Sequence, residues 1–443
     1  LFTMKTLKVT LFIWIAFATW AKSENILFQN AANFPEKGAY ILHIEGFDWG
    51  PAVNKVTISI EKMVSTVSGA EFNVFVNRNS SLGEIPMDQT YGKREVTLAY
   101  VSDEKGNRLA LGNHITLVLA VGPTHSIGSP IQYVRINNQG RNIWIDYQLT
   151  VIHNKSNQIW QKEAGRIMPQ LDKFNLKGQF KYNDNLTMSY ASFEPKNKTG
   201  KSPLIIWLHG GGEGGFDATI PLIGNKAVNY ASTEIQSIFE GAYVLSPQCP
   251  GAWMHNSKME MTGGRENDIY NEGLMALIKN YVQTNPSIDP TRIYVGGCSN
   301  GGYMALKLIM NQPDYFAAGY ISALAYQSQY ISDQAIQSIK HVPIWFVHSK
   351  DDSVTIAANT VVPVYNRLKA AGAKNTYFTF YDHVNDITSF FGGEGFRYNG
   401  HWSWIYVHEN KCRTDMDGSL VKIGGKPVNI MQWLSYQKLS LKK

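Results

Sequence analysis

Residues 292–310, RIYVGGCSNGGYMALKLIM, contain an apolar strand, a Gly-x-Ser-x-Gly turn and an amphipathic helix in direct succession. A chain that passes from strand to helix within this turn must bend sharply, and Gly297 and Gly301 allow the two backbones to pack closely around Ser299. The bend holds the serine hydroxyl clear of the sheet and at a helix N-terminus, where developing negative charge is stabilised. The stretch therefore predicts Ser299 as a nucleophile, and a glycine-rich turn without chemistry is the alternative interpretation.

Strands and helices alternate on both sides of this turn. The segments with the composition of buried strands are 203–209, 242–248, 292–298, 317–323 and 343–349, and those with apolar residues at helical spacing are 268–285, 302–312 and 361–372. Strands joined through helices form a parallel sheet that is covered by helices on both faces. The carboxyl-terminal part of the chain, residues 161–443, is therefore predicted to be a single α/β domain.

The preceding part of the chain has a different pattern. Its short segments that alternate in polarity or are rich in β-branched and aromatic residues are 55–62, 71–78, 94–101, 114–121, 131–136 and 143–152. Gly, Asn, Pro and Asp punctuate the gaps between them, and no helical pattern interrupts the series. Evenly spaced strands with turn residues between them predict an all-β sandwich over residues 24–160.

The first residues have the pattern of a secretory signal peptide. Lys5 and Lys8 are followed by the apolar run VTLFIWIAFA at 9–18, and small residues up to Ala21 offer a cleavage site. A membrane anchor is the alternative, but the run is shorter than the roughly 20 apolar residues of a spanning helix. Residues 1–23 are therefore predicted to be removed, and the mature protein is expected in the extracellular space or the periplasm, without a membrane segment.

Charge and cysteine content exclude several functional classes. The formal net charge of +6 is spread over 443 residues without a run of Lys or Arg. We therefore do not expect a nucleic-acid partner. There is no H-E-x-x-H motif and no close Cys/His cluster, so neither a metal site nor a cofactor is expected. Cys249, Cys298 and Cys412 are too few for a disulfide framework, and which of them would pair is left open.

A second glycine-rich segment follows the strand at 203–209. The sequence HGGGEG at 209–214 offers backbone N–H groups that an oxyanion can reach without obstruction by side chains. The predicted donors are Gly211 or Gly212, together with Asn300, the residue after Ser299. A phosphate-binding loop is the alternative, but the Lys-Ser/Thr that such a loop needs is missing. His209 is interpreted as a structural residue of the loop.

A serine nucleophile needs a histidine base and an acid that orients the base, and after a turn of this type the chain order is Ser, Asp, His. Asp352 is the predicted acid because it follows the strand at 343–349, where loops carry catalytic groups. Asp351 is the close competitor and is interpreted as a solvated neighbour.

Three histidines in the last part of the chain are candidates for the base. His401, in the sequence GHWSW at 400–404, is the first choice because it lies at a late loop-to-helix junction. His383 follows its strand too closely and is the second choice. His408 is expected to face the body of the final helical segment.

Five motifs of the carboxyl-terminal part occur together and in a fixed order: LHGGGEGG (208–215), SPQCPGAW (246–253), IDPTRIYVGGCSNGGYMAL (288–306), PIWFVHSKDDSV (343–354) and GHWSW (400–404). Through them this part resembles the secreted α/β-hydrolases grouped with polyhydroxybutyrate depolymerase-like and feruloyl-esterase-like enzymes and the so-called predicted peptidases. Through KVTISI, VTLAYVSDEKGNRLALG and IWIDYQLTV, the amino-terminal part resembles the immunoglobulin-like domain of a subset of these esterases. In such enzymes that domain is thought to support oligomer assembly or to cover the active-site face.

The resemblance implies an α/β-hydrolase fold with an amino-terminal immunoglobulin-like sandwich, and it implies Ser299 as nucleophile, Asp352 as acid and His401 as base. The chain departs from the common pattern at Cys298, where many relatives have other residues, and at Ser349, where a glycine is common. The segment 382–399 is longer than the pattern expects, so a lid or a part of the acyl pocket is a hypothesis for it.

These observations predict a secreted serine carboxylesterase that hydrolyses short-acyl or aryl esters through an acyl-enzyme, without a cofactor. The expected partners are a small ester or an ester-decorated polymer such as a substituted polysaccharide, and a second copy of the chain bound through the amino-terminal domain. A serine peptidase of the same fold is one alternative. A secreted binding or assembly protein with a vestigial hydrolase part is another, and the presence of three candidate catalytic residues speaks against it.

Overall fold

The computed structural model describes residues 38–136, 139–196 and 200–440. The predicted signal peptide at 1–23 lies outside the described residues. Of the helices in these ranges, none combines the length and the apolar composition that crossing a bilayer requires. The described chain forms an amino-terminal β region and a carboxyl-terminal α/β region, which confirms the predicted fold class.

The amino-terminal region consists of short strands: β1 (Ala39–Phe47), β2 (Gly50–Val64), β3 (Phe72–Asn79), β4 (Tyr91–Arg94), β5 (Val96–Ser102), β6 (Gly112–Leu119), β7 (Ile131–Ile136), β8 (Gln139–Trp144), β9 (Asp146–His153), β10 (Ile159–Trp160) and β11 (Lys162–Ile167). One sheet has the order β11-β1-β2-β6-β5 and the other the order β10-β9-β3-β4. Alternate residues such as Val74, Val76, Leu149 and Val151 are buried between the sheets, as the period of two in a half-buried strand requires. The strand β11 pairs with β1, so the first sheet continues past residue 160, where the sequence places the end of the sandwich.

The strands β7 and β8 form a separate hairpin. They pair antiparallel, with Ile131 opposite Trp144 and Tyr133 opposite Asn142. The predicted strand at 143–152 is therefore divided between β8 and β9, and the chain leaves one sheet for another at Ile145. The hairpin projects from the sandwich toward the carboxyl-terminal region, which it contacts through polar side chains.

The carboxyl-terminal region is built on β12 (Asn175–Asn183), β13 (Leu186–Phe193), β14 (Ser202–Leu208), β15 (Tyr243–Gln248), β16 (Ile288–Cys298), β17 (Ala318–Ser322), β18 (Ile344–Ser349) and β19 (Thr376–Tyr381). The strand order is β12-β13-β15-β14-β16-β17-β18-β19. From β15 to β19 the neighbours are parallel, as predicted, but β13 is antiparallel to both β12 and β15. The connection from β12 to β13 is too short for a crossover, and only an antiparallel pair tolerates such a turn. A small hairpin, β20 (Lys422–Ile423) and β21 (Lys426–Pro427), lies near the end of the chain.

The two faces of the central sheet belong to two different cores. In β14, which is buried along its whole length, Ile205 and Trp207 belong to one core, and Leu204, Ile206 and Leu208 to the other. The first core continues into the sandwich, so the amino-terminal domain and one face of the sheet share a single apolar interior. An apolar strand of this kind is expected where both faces of a parallel sheet are covered.

The covering helices are α1 (Ile220–Ile223), α2 (Thr233–Ile238), α3 (Asn271–Thr284), α4 (Asn300–Asn311), α5 (Asp333–Ile339), α6 (Val361–Ala370), α7 (Trp404–His408) and α8 (Ile430–Ser435). The helix α4 follows the central strand β16 directly and buries Leu306 and Ile309 in the second core. Because the carboxyl ends of β14, β16, β17 and β18 meet at one edge of the sheet, the loops that follow these strands are neighbours.

Candidate active site

Ser299 occupies the bend between β16 and α4, with φ 54° and ψ −116°. A non-glycine residue in this region of backbone space is strained and persists only where its surroundings hold it. Its N–H donates to the carbonyl of Ser322 at 3.0 Å, and its own carbonyl accepts the N–H of Tyr303 at 3.0 Å. The bend therefore has the geometry of a nucleophile elbow, with Ser299 only partly buried.

Close backbone packing accounts for the two glycines of the bend. A Cβ atom on Gly301 would lie 2.0 Å from the carbonyl oxygen of Leu208, and one on Gly297 would lie 2.5 Å from the same atom. The end of β14 thus runs directly against the elbow, and the glycine-rich loop that follows β14 is held beside it.

Asp352 and His401 are hydrogen-bonded to each other. The Nδ1 atom of His401 lies 2.9 Å from Oδ2 of Asp352. The N–H groups of Val354 and Thr355 donate to Oδ1 at 2.8 and 2.9 Å. Burial alone would raise the pKa of Asp352, but hydrogen bonds from His348 and His401 and the nearby imidazole outweigh it and hold this pKa well below its usual range. The carboxylate is therefore ionised, His401 donates from Nδ1, and Nε2 of His401 is left to accept a proton.

The competing candidates lie elsewhere. Oδ2 of Asp351 accepts a hydrogen bond from His383 Nδ1 at 2.9 Å in a partly exposed pair, and Oδ1 lies 2.8 Å from Ser349 Oγ. His408 is buried in α7 against Trp207, and burial lowers its pKa to about 3. Of the predicted residues, the structure joins Asp352 to His401 and pairs the second-choice acid with the second-choice base.

The elbow and the acid–base pair meet at the carboxyl end of β17. The carbonyl of Ser322 accepts the hydrogen bond of the Ser299 N–H, and the next carbonyl oxygen, that of Ala323, lies 3.3 Å from the hydroxyl oxygen of Thr355. Thr355 in turn contacts both Oδ2 of Asp352 at 2.7 Å and Nδ1 of His401 at 3.4 Å. The three residues predicted from distant parts of the chain therefore lie at the same edge of the sheet.

The predicted oxyanion donors are also neighbours. Gly211 and Gly212 lie in a single 3₁₀ turn, Gly211–Glu213, directly after β14. A Cβ atom on Gly211 would be 3.8 Å from Cβ of Asn300. The backbone amides of the loop and of the elbow are thus available on the same side of the sheet as Ser299, which is the arrangement that oxyanion stabilisation needs.

Two family models match the chain. Residues 39–163 match the esterase Ig-like N-terminal domain, and residues 191–388 match the phospholipase/carboxylesterase family. The second match includes Ser299 and Asp352 and ends before His401. The chain therefore has an α/β-hydrolase fold with an immunoglobulin-like domain in front of it, and most of its α/β domain is similar to phospholipases and carboxylesterases.

Individual relatives agree with this assignment. The chain is 29% identical over 172 residues to a poly(3-hydroxybutyrate) depolymerase of Ralstonia pickettii, an alignment that covers 37% of this chain and 32% of the relative. It is 29% identical over 130 residues to feruloyl esterase B of Neurospora crassa, covering 29% of this chain and 41% of the relative. The alignments thus span between a third and about two fifths of those two proteins. A solved structure of a thermostable esterase superposes with a TM-score of 0.67 at 23% identity, over 90% of this chain and 99% of that one, and shows the same fold.

A further histidine, which is not among the residues predicted from the sequence, contacts Asp352. Nε2 of His348 lies 2.8 Å from the carbonyl oxygen of Thr355 and 3.0 Å from Oδ2 of Asp352. Both atoms are acceptors, so Nε2 carries the hydrogen and donates to them. His348 is fully buried at the end of β18, four residues before Asp352. This spacing, visible in HSKDD, is the signal that could have found it.

The departures from the family pattern have structural explanations. The Ser349 hydroxyl donates to the carbonyl of Gly400 at 2.5 Å, so it ties the end of β18 to the turn that carries His401. Cys298 is buried beneath the elbow, and all three cysteines are free and buried, so no disulfide pairs them. His209 uses both ring nitrogens within its loop, with Nδ1 2.7 Å from the Gly210 carbonyl and Nε2 accepting the Cys249 N–H at 2.9 Å.

The long segment 382–399 packs against the amino-terminal domain. Phe391 lies edge-on to Trp49 with ring centroids 4.6 Å apart, and its N–H donates to the Asp386 carboxylate at 2.7 Å. The neighbouring Phe390 is 85% exposed. The segment is therefore an ordered connection between the domains, and its role as a lid or pocket wall stays a hypothesis.

Proposed function

We propose that this protein is a serine carboxylesterase that uses Ser299, His401 and Asp352 as its catalytic residues. The observation that carries the proposal is the hydrogen bond between ionised Asp352 and Nδ1 of His401 at the sheet edge where Ser299 occupies a strained elbow. A triad is recognised by such geometry and by the roles of its members.

The reaction proceeds in two steps. Nε2 of His401 accepts the proton of the Ser299 hydroxyl while Oγ bonds to the ester carbonyl carbon, and the resulting imidazolium is stabilised by Asp352. The amide of Asn300 and that of Gly211 or Gly212 stabilise the oxyanion of the tetrahedral intermediate. His401 returns the proton to the leaving alcohol as the ester C–O bond breaks. Water, deprotonated by His401, then releases the acid from the acyl-enzyme and restores Ser299.

Apolar side chains near these residues support a substrate with a short acyl or aryl group. Met261, 60% exposed, contacts the side chain of Asn300 through its sulfur at 3.7 Å. Val354 and Ile356, on either side of Thr355, are 61% and 45% exposed. Exposed apolar residues beside a polar reaction centre are typical of pockets that bind the apolar part of a ligand. The named activities of the two relatives suggest two polymer-linked forms, hydroxybutyrate esters and feruloyl esters.

The proposal is tested with p-nitrophenyl acetate, butyrate and octanoate, methyl ferulate, a hydroxybutyrate oligomer and peptide p-nitroanilides. We expect turnover of esters, and loss of that turnover by about 10⁴-fold or more in Ser299→Ala with an unchanged far-UV spectrum. Turnover of amides without esters would identify a peptidase instead. Ester turnover that survives Ser299→Ala would refute the assignment of the nucleophile.

We also propose that the protein is secreted and self-associates through its amino-terminal domain. The strand β5 is at the edge of its sheet, and Leu98, Leu109 and Leu111 in and beside it are exposed, a combination that favours pairing with another chain. Light scattering should detect an oligomer that Leu98→Lys with Leu111→Lys converts to monomer. Amino-terminal sequencing of the expressed protein should find cleavage near residue 23, and an intact amino terminus would refute the signal peptide.

A further inference from the structure

Glu213 is a buried carboxyl group to which the ester mechanism gives no role. It ends the turn that carries Gly211 and Gly212, and only 5% of its surface is exposed. Burying a carboxyl group is unfavourable unless hydrogen bonds compensate for the lost water. Its presence in the loop that supplies the oxyanion donors therefore calls for a physical reason.

The Glu213 side chain folds back on its own loop. The backbone N–H of Glu213 donates to the Gly210 carbonyl at 3.3 Å, and the Glu213 carboxyl group lies beside Gly210, where a Cβ atom would be 3.0 Å from Oε2. Burial raises the pKa of Glu213, and its polar neighbours Asn142, Asn225 and the Gly210 backbone offset only part of that increase. The backbone and the side chain of Glu213 thus both contact Gly210 and close the turn 210–213 on itself. Glycine peptides have few steric restraints of their own, so this closure restrains the Gly211 and Gly212 amides.

A hydrogen bond to the Glu213 carboxyl group comes from the amino-terminal domain. Nδ2 of Asn142, in β8, donates to Oε1 of Glu213 at 2.8 Å. The same nitrogen and the ring of Tyr133, the strand partner of Asn142, lie 3.4 and 3.2 Å from where a Cβ atom of Gly212 would be. The hairpin therefore lies directly over the loop.

Further contacts, from residues just before Asn142, hold the hairpin in place. The Arg141 guanidinium donates to the carbonyls of Gly214 and Pro250, each at 3.3 Å. The Gln139 side chain lies 2.9 Å from Nε2 of His255. Asn142 is thus a fixed donor, because its neighbours anchor β8 to the loops around the site.

On the basis of the ester chemistry proposed above, we propose that Asn142 and Glu213 are a positioning pair that orients the Gly211 and Gly212 amides toward the oxyanion. The amino-terminal domain then contributes a side chain to catalysis without touching the substrate through it. Removing an oxyanion donor altogether costs about 10²–10³-fold in kcat, so loosening one should cost less.

The first test is Asn142→Ala, with Arg135→Ala, at an exposed position of the same hairpin, as the matched control. We expect kcat for p-nitrophenyl butyrate to fall about tenfold with KM changed less than about threefold, because an oriented amide acts mainly on the transition state. Affinity for a trifluoromethyl ketone, which forms an oxyanion on Ser299, should weaken in proportion, while inhibition by butyrate should not change. Arg135→Ala should behave as wild type.

The second test exchanges donor and acceptor, which keeps the pair testable if Asn142→Ala is poorly folded. Asn142→Asp should lose activity because two carboxyl groups then face each other. Combining it with Glu213→Gln restores a hydrogen bond, since the new amide donates to residue 142 while its oxygen takes the place of Oε2 beside Gly210. We expect the double variant to recover to within about threefold of wild-type kcat. A double variant no better than Asn142→Asp, or a fully active Asn142→Ala, would overturn the pair.

Ser299→Ala, measured in parallel, separates the two proposals. If Ser299→Ala stays active, the proposed function is wrong, irrespective of the activities of the Asn142 and Glu213 variants. If it is inactive while every variant of Asn142 and Glu213 equals wild type, only the positioning pair is wrong.

Discussion

Replacing Asp352 by Asn should cost about 10⁴-fold in kcat, and the hydrogen bonds of its carboxylate give the reason. Oδ1 accepts the N–H groups of Val354 and Thr355, so the carbonyl oxygen of an asparagine must take that position. Its NH₂ group then replaces Oδ2 and faces Nδ1 of His401. To accept this new donor, His401 must move its hydrogen from Nδ1 to Nε2, the atom that has to receive the serine proton.

The expected loss equals about 5.5 kcal/mol of transition-state stabilisation, from about 10⁴-fold for a wrong tautomer and about 1.4 kcal/mol per tenfold. The assay is the steady-state hydrolysis of p-nitrophenyl butyrate, with the burst of p-nitrophenol reporting acylation. KM should change little, since the substrate does not touch the carboxylate.

Asp351→Asn is the matched control, one residue away and of the same chemistry. Asp351 contacts Ser349 and His383 in a partly exposed pair, and such pairs contribute about 0–1 kcal/mol. Its kcat should stay within about fivefold of wild type. Equal losses at both positions, or more than a tenth of wild-type kcat in Asp352→Asn, would refute the assignment of the acid and the tautomer argument.

Three further outcomes are expected. His348→Leu removes the Nε2 donor to Asp352 and should lower kcat about tenfold. His348→Gln should recover part of this activity, because its amide can donate to Asp352. Equal activity of the Leu and Gln variants would deny His348 a positioning role. Gly301→Ala forces a Cβ atom against the Leu208 carbonyl and should lower the free energy of unfolding by more than about 3 kcal/mol in denaturant melts, whereas Gly395→Ala, which meets open space, should be neutral. Because the folded-state pKa of Asp352 is lowered below the unfolded value of about 3.9, its ionisation stabilises the fold above that pH and the benefit is lost as pH falls toward the folded-state pKa. The difference in Tm between wild type and Asp352→Asn should therefore shrink between pH 6 and pH 3, and a difference that is constant or grows would contradict this linkage.

Local sequence patterns were sufficient to predict the bend at Ser299 and most of the strands and helices. A strand, two glycines and a helix in direct succession restrict the backbone at Ser299 to a sharp bend. This bend is therefore encoded in about 20 adjacent residues. The buried strands were recognisable because both faces of β14 to β18 are covered. The antiparallel direction of β13 was not predicted, since the decisive feature is the short turn after Asn183 and not the composition of the strand.

The choice among the acids and bases depended on less local information. Asp351 and Asp352 lie in the same loop. Only the conformation of the chain after β18 directs Asp352 to His401 and Asp351 to His383. The spacing of His348 and Asp352 was visible in the sequence, but a buried histidine is so often structural that spacing alone could not select it.

What no local pattern contained is the contact of the β7–β8 hairpin with the glycine loop. Asn142 and Glu213 are 71 residues apart and belong to different domains, and nothing in either segment encodes the packing of one on the other. The chain's local propensities and glycine positions determine the elbow, because steric restraints act between neighbours. The surroundings of its oxyanion loop were decided only in three dimensions, because they depend on how a sandwich and a sheet bury one shared apolar core.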